Sequence, residues 1–104
     1  MIIYSVDKPG TPKVSKGGLE YTSQKHVAFQ GLCRVEAAAD EFFGGSRSKP
    51  YVGRVLESPT WGTLLAEARK VQRATRDEHH VFLEGARVRY VDGGVQVIEL
   101  FFGS

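Results

Sequence analysis

The chain has 104 residues, of which 41% are apolar and 25% are charged, and its formal net charge is +2. These values are typical of one globular domain, and they exclude a disordered or collagen-like chain. The weak positive charge does not by itself indicate a nucleic-acid-binding protein. We therefore expect a single domain over residues 1–104 with one modest core.

The cysteine count and the apolar runs bear on the compartment. Cys33 is the one cysteine, so no disulfide can form within the chain, and we expect it to be an inert buried residue. Small secreted domains usually carry several cysteines, so a reducing compartment is favoured. The first residues, MIIYSVDKPG, lack a basic leader, and the stretch VIELFFG is far shorter than the roughly 20 residues of a membrane span. We expect a soluble cytoplasmic protein without a membrane partner.

The first half of the chain predicts mostly strands. Short apolar runs indicate strands, with the second and third forming a hairpin, at 2–6, 19–22, 26–30 and 51–56. The stretch VEAAADEFF, over 35–43, has the alanines and carboxylates of a short helix, which Gly44 and Gly45 would end. A polar loop over 46–50 follows.

The clearest helix is predicted over 59–75. Ser58 suits the N-cap position, and Pro59 suits the first helical position, where its missing N–H has no cost. A buried face is defined by apolar residues that recur with the helical period: Trp61, Leu64, Leu65, Ala68 and Val71. The charged residues fall elsewhere, on the face expected to be solvated: Glu67, Arg69, Lys70, Arg73 and Arg76.

The C-terminal residues predict a long β-hairpin. With Asp92, Gly93 and Gly94 as a three-residue loop, the predicted cross-strand pairs are Val91 with Val95, Val88 with Ile98, Ala86 with Leu100, and Arg87 with Glu99. Upstream, the apolar residues Val81 and Leu83 are at odd-numbered positions, whereas from Ala86 the apolar face is at even-numbered positions, so the alternation slips near Gly85. This change predicts a β-bulge at Gly85 within one bent strand over 79–91.

These elements together predict an α+β fold. We expect a mainly antiparallel sheet with a long C-terminal β-hairpin and two helices, at about 35–43 and 59–75, packed on one face. The last strand ends in the apolar residues Phe101 and Phe102. We expect this strand to lie at a sheet edge and the protein to form a homodimer, joined through this strand or across the sheet face.

Two adjacent histidines, His79 and His80, are the main candidates for chemistry. A nearby carboxylate can orient an imidazole for proton transfer, and three are close in sequence: Asp77, Glu78 and Glu84. Neighbouring strand residues point to opposite faces, so the two rings are poorly placed to share a metal ion. We expect His79 on the core side and His80 on the side of Glu84, with no metal and no cofactor.

Five arginines are the candidate residues for binding a ligand or an anion. Three are spaced i, i+4, i+7 along the long helix and two lie on the hairpin: Arg69, Arg73, Arg76, Arg87 and Arg89. If their side chains converged, they would suit an anionic partner such as a nucleic acid. The alternative, which the pattern favours, is a solvated helix face with intrahelical ion pairs.

Three functions stay open. The absence of a catalytic motif and the small interior favour a small non-enzymatic binding or interaction module, oligomeric in solution. A second hypothesis is nucleic-acid or polyanion binding through the arginine-bearing helix and hairpin. A third is a small enzyme or ligand-binding protein that uses His79 or His80 with Glu84.

Overall fold

A computed structural model of the chain describes residues 4–5, 24–77, 79–80 and 82–103. The elements, in chain order, are strand β1 (Tyr4–Ser5), strand β2 (Leu32–Ala37), helix α1 (Glu41–Gly44), a 3₁₀ turn (Gly45–Arg47), strand β3 (Tyr51–Val52), strand β4 (Leu56–Glu57), helix α2 (Trp61–Thr75), strand β5 (Phe82–Asp92) and strand β6 (Val95–Gly103). Two helices and a mainly antiparallel sheet confirm the predicted α+β class. The strand predicted over 19–22 lies outside the described residues.

The sheet places the C-terminal strand in its interior. The strand order is β1–β5–β6–β2–β3, and β4 also pairs with β2. Every pairing is antiparallel except that of β2 with β6, which runs parallel from Cys33 and Gln96 to Val35 and Ile98. The prediction of a C-terminal edge strand was therefore wrong, because β6 has a long-range partner that no local pattern reveals.

The register of the C-terminal hairpin matches the prediction in its middle. The observed pairs include Ala86 with Leu100, Arg87 with Glu99, and Val88 with Ile98. The loop differs, because Gly93 and Gly94 form a two-residue turn with φ of 56° and 84°, as a type I′ turn requires. Val91 consequently faces Gln96.

Two bulges reconcile the short turn with the register of the hairpin. The predicted slip is present, as a register shift between Leu83 and Gly85. A second shift, between Val88 and Tyr90, leaves Arg89 as the extra residue. The strand itself begins at Phe82, three residues later than predicted.

Helix α2 forms as predicted, with a different cap. The Thr60 hydroxyl accepts a hydrogen bond from the Thr63 N–H at 3.2 Å, and the helix begins at Trp61. Ser58 is not the N-cap, because its hydroxyl accepts from the N–H of Gly31 at 2.9 Å instead. Four of the five predicted apolar positions are buried, and Trp61 is half-buried.

The first helix is shorter than predicted. Val35, Glu36 and Ala37 belong to β2, and helix α1 spans only Glu41–Gly44. Pairing with β6 on one side and with β3 on the other outweighs the helix propensity of the alanines. A Cβ atom added at Gly44 would clash with the carbonyl oxygen of Thr75, so α1 lies against the C-terminal end of α2.

Two other predicted strands are interrupted. Over 26–30 the backbone makes a single β-bridge, between Val27 and Thr60. The strand predicted over 51–56 is divided into β3 and β4, and between them the Gly53 N–H donates to the carbonyl of Val35 at 2.8 Å. Neither α1 nor α2 is long and apolar enough to cross a membrane.

The core lies between α2 and one face of the sheet. It is formed by Cys33, Val35, Leu64, Leu65, Ala68, Val71, Leu83, Ile98 and Leu100. The residues that alternate with these in β2 and β6 point to the other face. There Arg34 binds Glu36 at 2.5 Å and Asp92 at 2.8 Å, and the Tyr90 hydroxyl donates to Glu36 at 3.1 Å.

Glu67 is buried, although its position in the sequence pattern indicates a solvated residue. Its exposed fraction is 2%. The Tyr51 hydroxyl donates to its Oε1 at 2.9 Å, and Lys70 Nζ lies 3.1 Å from its Oε2. Burial, followed by the hydrogen bond to Glu67, raises the pKa of Tyr51 to about 12. The carboxylate therefore ties β3 to α2 inside the fold.

Candidate functional site

An open groove of about 380 Å³ lies at the carboxyl ends of β2 and β6. The pairing of these parallel strands ends at Val35 and Ile98. Beyond that point, residues from both strands line the groove, among them Ala37 and Leu100. The last turns of α2 contribute the rest of one wall, and Asp77 follows them. We call this feature the groove.

His80 and Asp77 form a hydrogen-bonded pair in the wall of the groove. His80 Nδ1 lies 2.7 Å from Asp77 Oδ2. The other oxygen, Oδ1, accepts the backbone N–H groups of His79 at 2.9 Å and His80 at 3.2 Å. Asp77 therefore organises the turn after α2 as an Asx-type turn and holds the imidazole at the same time.

The charge state of Asp77 sets the tautomer of His80. Partial burial alone would raise the pKa of Asp77, but the hydrogen bonds from the His79 N–H and from His80 outweigh it, so the pKa is lowered. Asp77 is therefore ionised at neutral pH, and an ionised carboxylate can only accept. The proton lies on Nδ1 of His80, which leaves Nε2 as the atom available to a ligand.

Neighbouring elements fix the position of the His80 ring. The Phe43 ring packs on it edge to face, with centroids 4.7 Å apart and an interplanar angle of 85°. The Gln72 side-chain amide donates to the His80 carbonyl. The His80 side chain nevertheless keeps 31% of its surface exposed. α1, α2 and the Asx turn thus orient an imidazole that solvent and a ligand can reach.

The predicted surroundings of the two histidines were wrong in detail. Both precede β5, so strand alternation does not govern them, and His79 is exposed where the core side was expected. The carboxylate of Glu84 lies against the backbone of Gly103, and Glu84 makes no hydrogen bond with either histidine. The carboxylate that orients His80 is Asp77. An aspartate just after the helix favours an Asx turn, and this local pattern could have indicated Asp77 as the partner of His80.

The five candidate arginines do not gather on one face. Arg69 and Arg73 are exposed on α2, and Arg76 ends that helix in the left-handed conformation, with φ of 58°. Arg87 alternates with core-facing residues, so it points away from α2. There it pairs with Glu99 at 2.8 Å and lies over the Phe101 ring. Of the five arginines, Arg89 lines the groove.

Other reactive or metal-binding groups add little to this site. Among the described residues, no three histidine, cysteine or carboxylate side chains gather to hold a metal ion. Cys33 is fully buried, and its Sγ lies 3.5 Å from the carbonyl of Gly31. Burial raises the pKa of the Cys33 thiol, which disfavours the reactive thiolate at neutral pH.

The Asp77 contacts predict a specific response to acid. Because folding lowers the pKa of Asp77 below 3.8, its contribution to stability is complete above that pH and is lost as the pH falls through the folded value. We expect Asp77→Asn to weaken the dependence of the unfolding free energy on pH below 3.8. Urea titrations at a series of acidic pH values measure this dependence. Parallel curves for the variant and the wild type would contradict the assignment.

Comparisons of this chain with protein-family models, with curated proteins and with solved structures found no match. The function is therefore inferred from the geometry of the groove.

Proposed function

We propose that this protein is a small binding module whose ligand occupies the groove and contacts His80. The observation that carries the proposal is the His80–Asp77 pair in the wall of the groove. A volume of about 380 Å³ is within the range of small-molecule sites. Such sites combine apolar walls with a few polar groups of fixed orientation, and the groove offers both.

The surroundings of His80 favour binding over catalysis. Acid–base catalysis of group transfer usually requires a nucleophile or a second proton donor within hydrogen-bond reach of the imidazole. The hydroxyl side chain in the lining, Thr75, is buried and donates to the carbonyl of Val71 at 2.9 Å. Within the described residues, the hydrogen bonds of His80 are those to Asp77 and Gln72.

The experiment is a nuclear magnetic resonance titration with three fragments that share a phenyl ring: benzyl alcohol, benzylamine and benzoate. We expect at least one fragment to shift backbone amide signals around the groove. His80→Ala should weaken that binding by about tenfold or more, since it removes a pre-oriented polar contact. His26→Ala is the matched control, because His26 is exposed beside the N-terminus of α2 and does not line the groove.

Two outcomes would overturn this proposal. If none of the three fragments shifts the groove signals, or if His80→Ala binds like the wild type, the groove is not the ligand site.

We further propose that the module is a homodimer, joined through the β3–β4 edge instead of the C-terminal strand. Among the described strands, β6 is paired on both sides, whereas β3 ends the sheet order. Val52 and Val55 on this edge are 67% and 52% exposed. Exposed apolar edges favour pairing with another chain. Sedimentation velocity at micromolar concentrations should show a dimer, and a monomer would contradict the proposal.

We propose a cytoplasmic location because the thiol of Cys33 is not in a disulfide. The thiol is free and buried, which fits a compartment that keeps cysteines reduced. Fractionation of cells that express the tagged protein should recover it with cytoplasmic markers. Recovery in the secreted fraction would contradict this location.

A further inference from the structure

We infer that the ligand of the groove is a small organic carboxylate with an apolar body, and that Arg89 binds its charged group. This inference rests on the proposed function and adds the chemical class of the ligand. It follows from an account of the charged groups that line the groove: four carboxylates and two basic side chains. Each carboxylate has at least one donor, and one of the two basic groups has no partner among the described residues.

Two of the four carboxylates are held by arginines on the face of the sheet away from α2. Glu36 pairs with Arg34 at 2.5 Å and also accepts from the Tyr90 hydroxyl at 3.1 Å. Glu99 pairs with Arg87 at 2.8 Å. Each of the two therefore already has an arginine at hydrogen-bond distance, which weakens its attraction for a cationic ligand.

The other two carboxylates are engaged in local hydrogen bonds. Asp40 caps α1, where its Oδ1 accepts the N–H groups of Phe42 at 3.1 Å and Phe43 at 3.2 Å. Asp77 accepts from His80 and from two backbone N–H groups. Asp77 therefore holds donors on both of its oxygens, and Asp40 holds two on Oδ1.

Arg89 is the exception among the charged groups of the groove. Arg89 is exposed, and it makes no hydrogen bond or ion pair within the part of the chain that the structure describes. It is the extra residue of the bulge between Val88 and Tyr90, and it lines the groove. Arg89 thus supplies the groove with a guanidinium that has no ionic partner among the described residues.

The chemistry of Arg89 and of its surroundings selects the ligand. A guanidinium presents two parallel N–H donors that match the two oxygens of a carboxylate. Its positive charge, which no described side chain pairs, attracts a negatively charged group. The apolar part of the lining suits the remainder of the ligand, since Val71, Leu100 and Phe102 all face the groove. His80 is then the second polar contact.

The test extends the fragment titration, at neutral pH and about 50 mM salt so that screening stays modest. Benzoate should bind the groove about tenfold more tightly than benzyl alcohol, because it adds a charge-assisted hydrogen bond pair. Benzylamine should bind least well of the three. Arg89→Gln should reduce the affinity for benzoate to that for benzyl alcohol, and Arg89→Lys should restore part of it.

Arg69→Gln is the matched control, because it removes the same charge from an exposed residue of α2 that does not line the groove. We expect it to bind benzoate as the wild type does, because salt screens most of the long-range effect of its charge. Equal affinities for benzoate and benzyl alcohol, or wild-type binding of benzoate by Arg89→Gln, would overturn the inference and leave the proposed function in place. Failure of all three fragments to bind the groove would overturn both.

Discussion

Replacing Leu64 with alanine is expected to lower the free energy of unfolding by about 3 kcal/mol. Leu64 lies in the first turn of α2, has an exposed fraction of 0% and belongs to the core cluster with Leu65 and Ile98. The substitution removes three buried carbon atoms and leaves a cavity that the close-packed neighbours fill only in part. In a domain of this size that is a large part of the total stability.

Urea unfolding followed by circular dichroism measures the effect of Leu64→Ala. The matched control is Val91→Ala, because Val91 is 62% exposed, lies away from the proposed dimer edge, and its truncation opens no cavity in the core. We expect the control to change the free energy of unfolding by no more than about 0.5 kcal/mol. Similar values for the two variants would mean that α2 does not cover the sheet as described.

Replacing Glu67 with alanine should cost about 2 kcal/mol of stability. The carboxylate is almost fully buried, and its Oε1 occupies the space where a side chain at Gly53 would begin. Alanine removes the acceptor of the Tyr51 hydroxyl and empties this space. Glu67→Gln keeps the volume and an acceptor oxygen, so we expect it to cost less than half as much.

The phenol of Tyr51 provides a second readout for the Glu67 variants. Its folded pKa, about 12, is above the ordinary value of 10.0, so the stabilisation from this group is complete below pH 10 and declines as the pH rises towards 12. In Glu67→Gln the neighbouring negative charge is absent, and the pKa of Tyr51 should fall towards 10.0. Ultraviolet absorbance of the phenolate, with Tyr51→Phe as the reference, measures this. An unchanged pKa in Glu67→Gln would contradict the contact.

Elements with strong local signals could be predicted from the sequence. The helical period of Leu64, Leu65, Ala68 and Val71 places them correctly in the core. The opposite charges of Arg87 and Glu99 place the middle of the hairpin in its observed register, even though the loop has two residues instead of three. The second bulge, at Arg89, compensates for that difference, and no residue pattern marks it.

Features that depend on distant partners could not be predicted. Val35, Glu36 and Ala37 have no strong preference of their own, and pairing with β6 and β3 makes them a strand. Glu67 has a charged side chain at a position that periodicity leaves outside the core. It is buried because Tyr51, 16 residues away, meets it in the folded chain.

The candidate site also combines a feature that local patterns indicate with features that depend on distant partners. His80 could be proposed from the sequence, as a histidine with carboxylates nearby. The choice of Asp77 over Glu84 depends on how the chain turns after α2, and the groove depends on the separation of β2 from β6. Both require the assembled sheet, which short-range patterns do not describe.

The parallel pairing of β2 with β6 has a consequence for folding kinetics. Gln96 and Cys33 are in contact across 63 residues of chain, so the central pairing of the sheet closes a long loop. Closing such loops slows folding, and a sheet of this topology forms later than a hairpin or a helix. During synthesis the edge of β2 that pairs with β6 stays unpaired until Val95–Gly103 have been made. Deletion of Val95–Gly103 would therefore remove the common partner of β2 and β5, and until β6 docks, this edge is open to pairing with other chains.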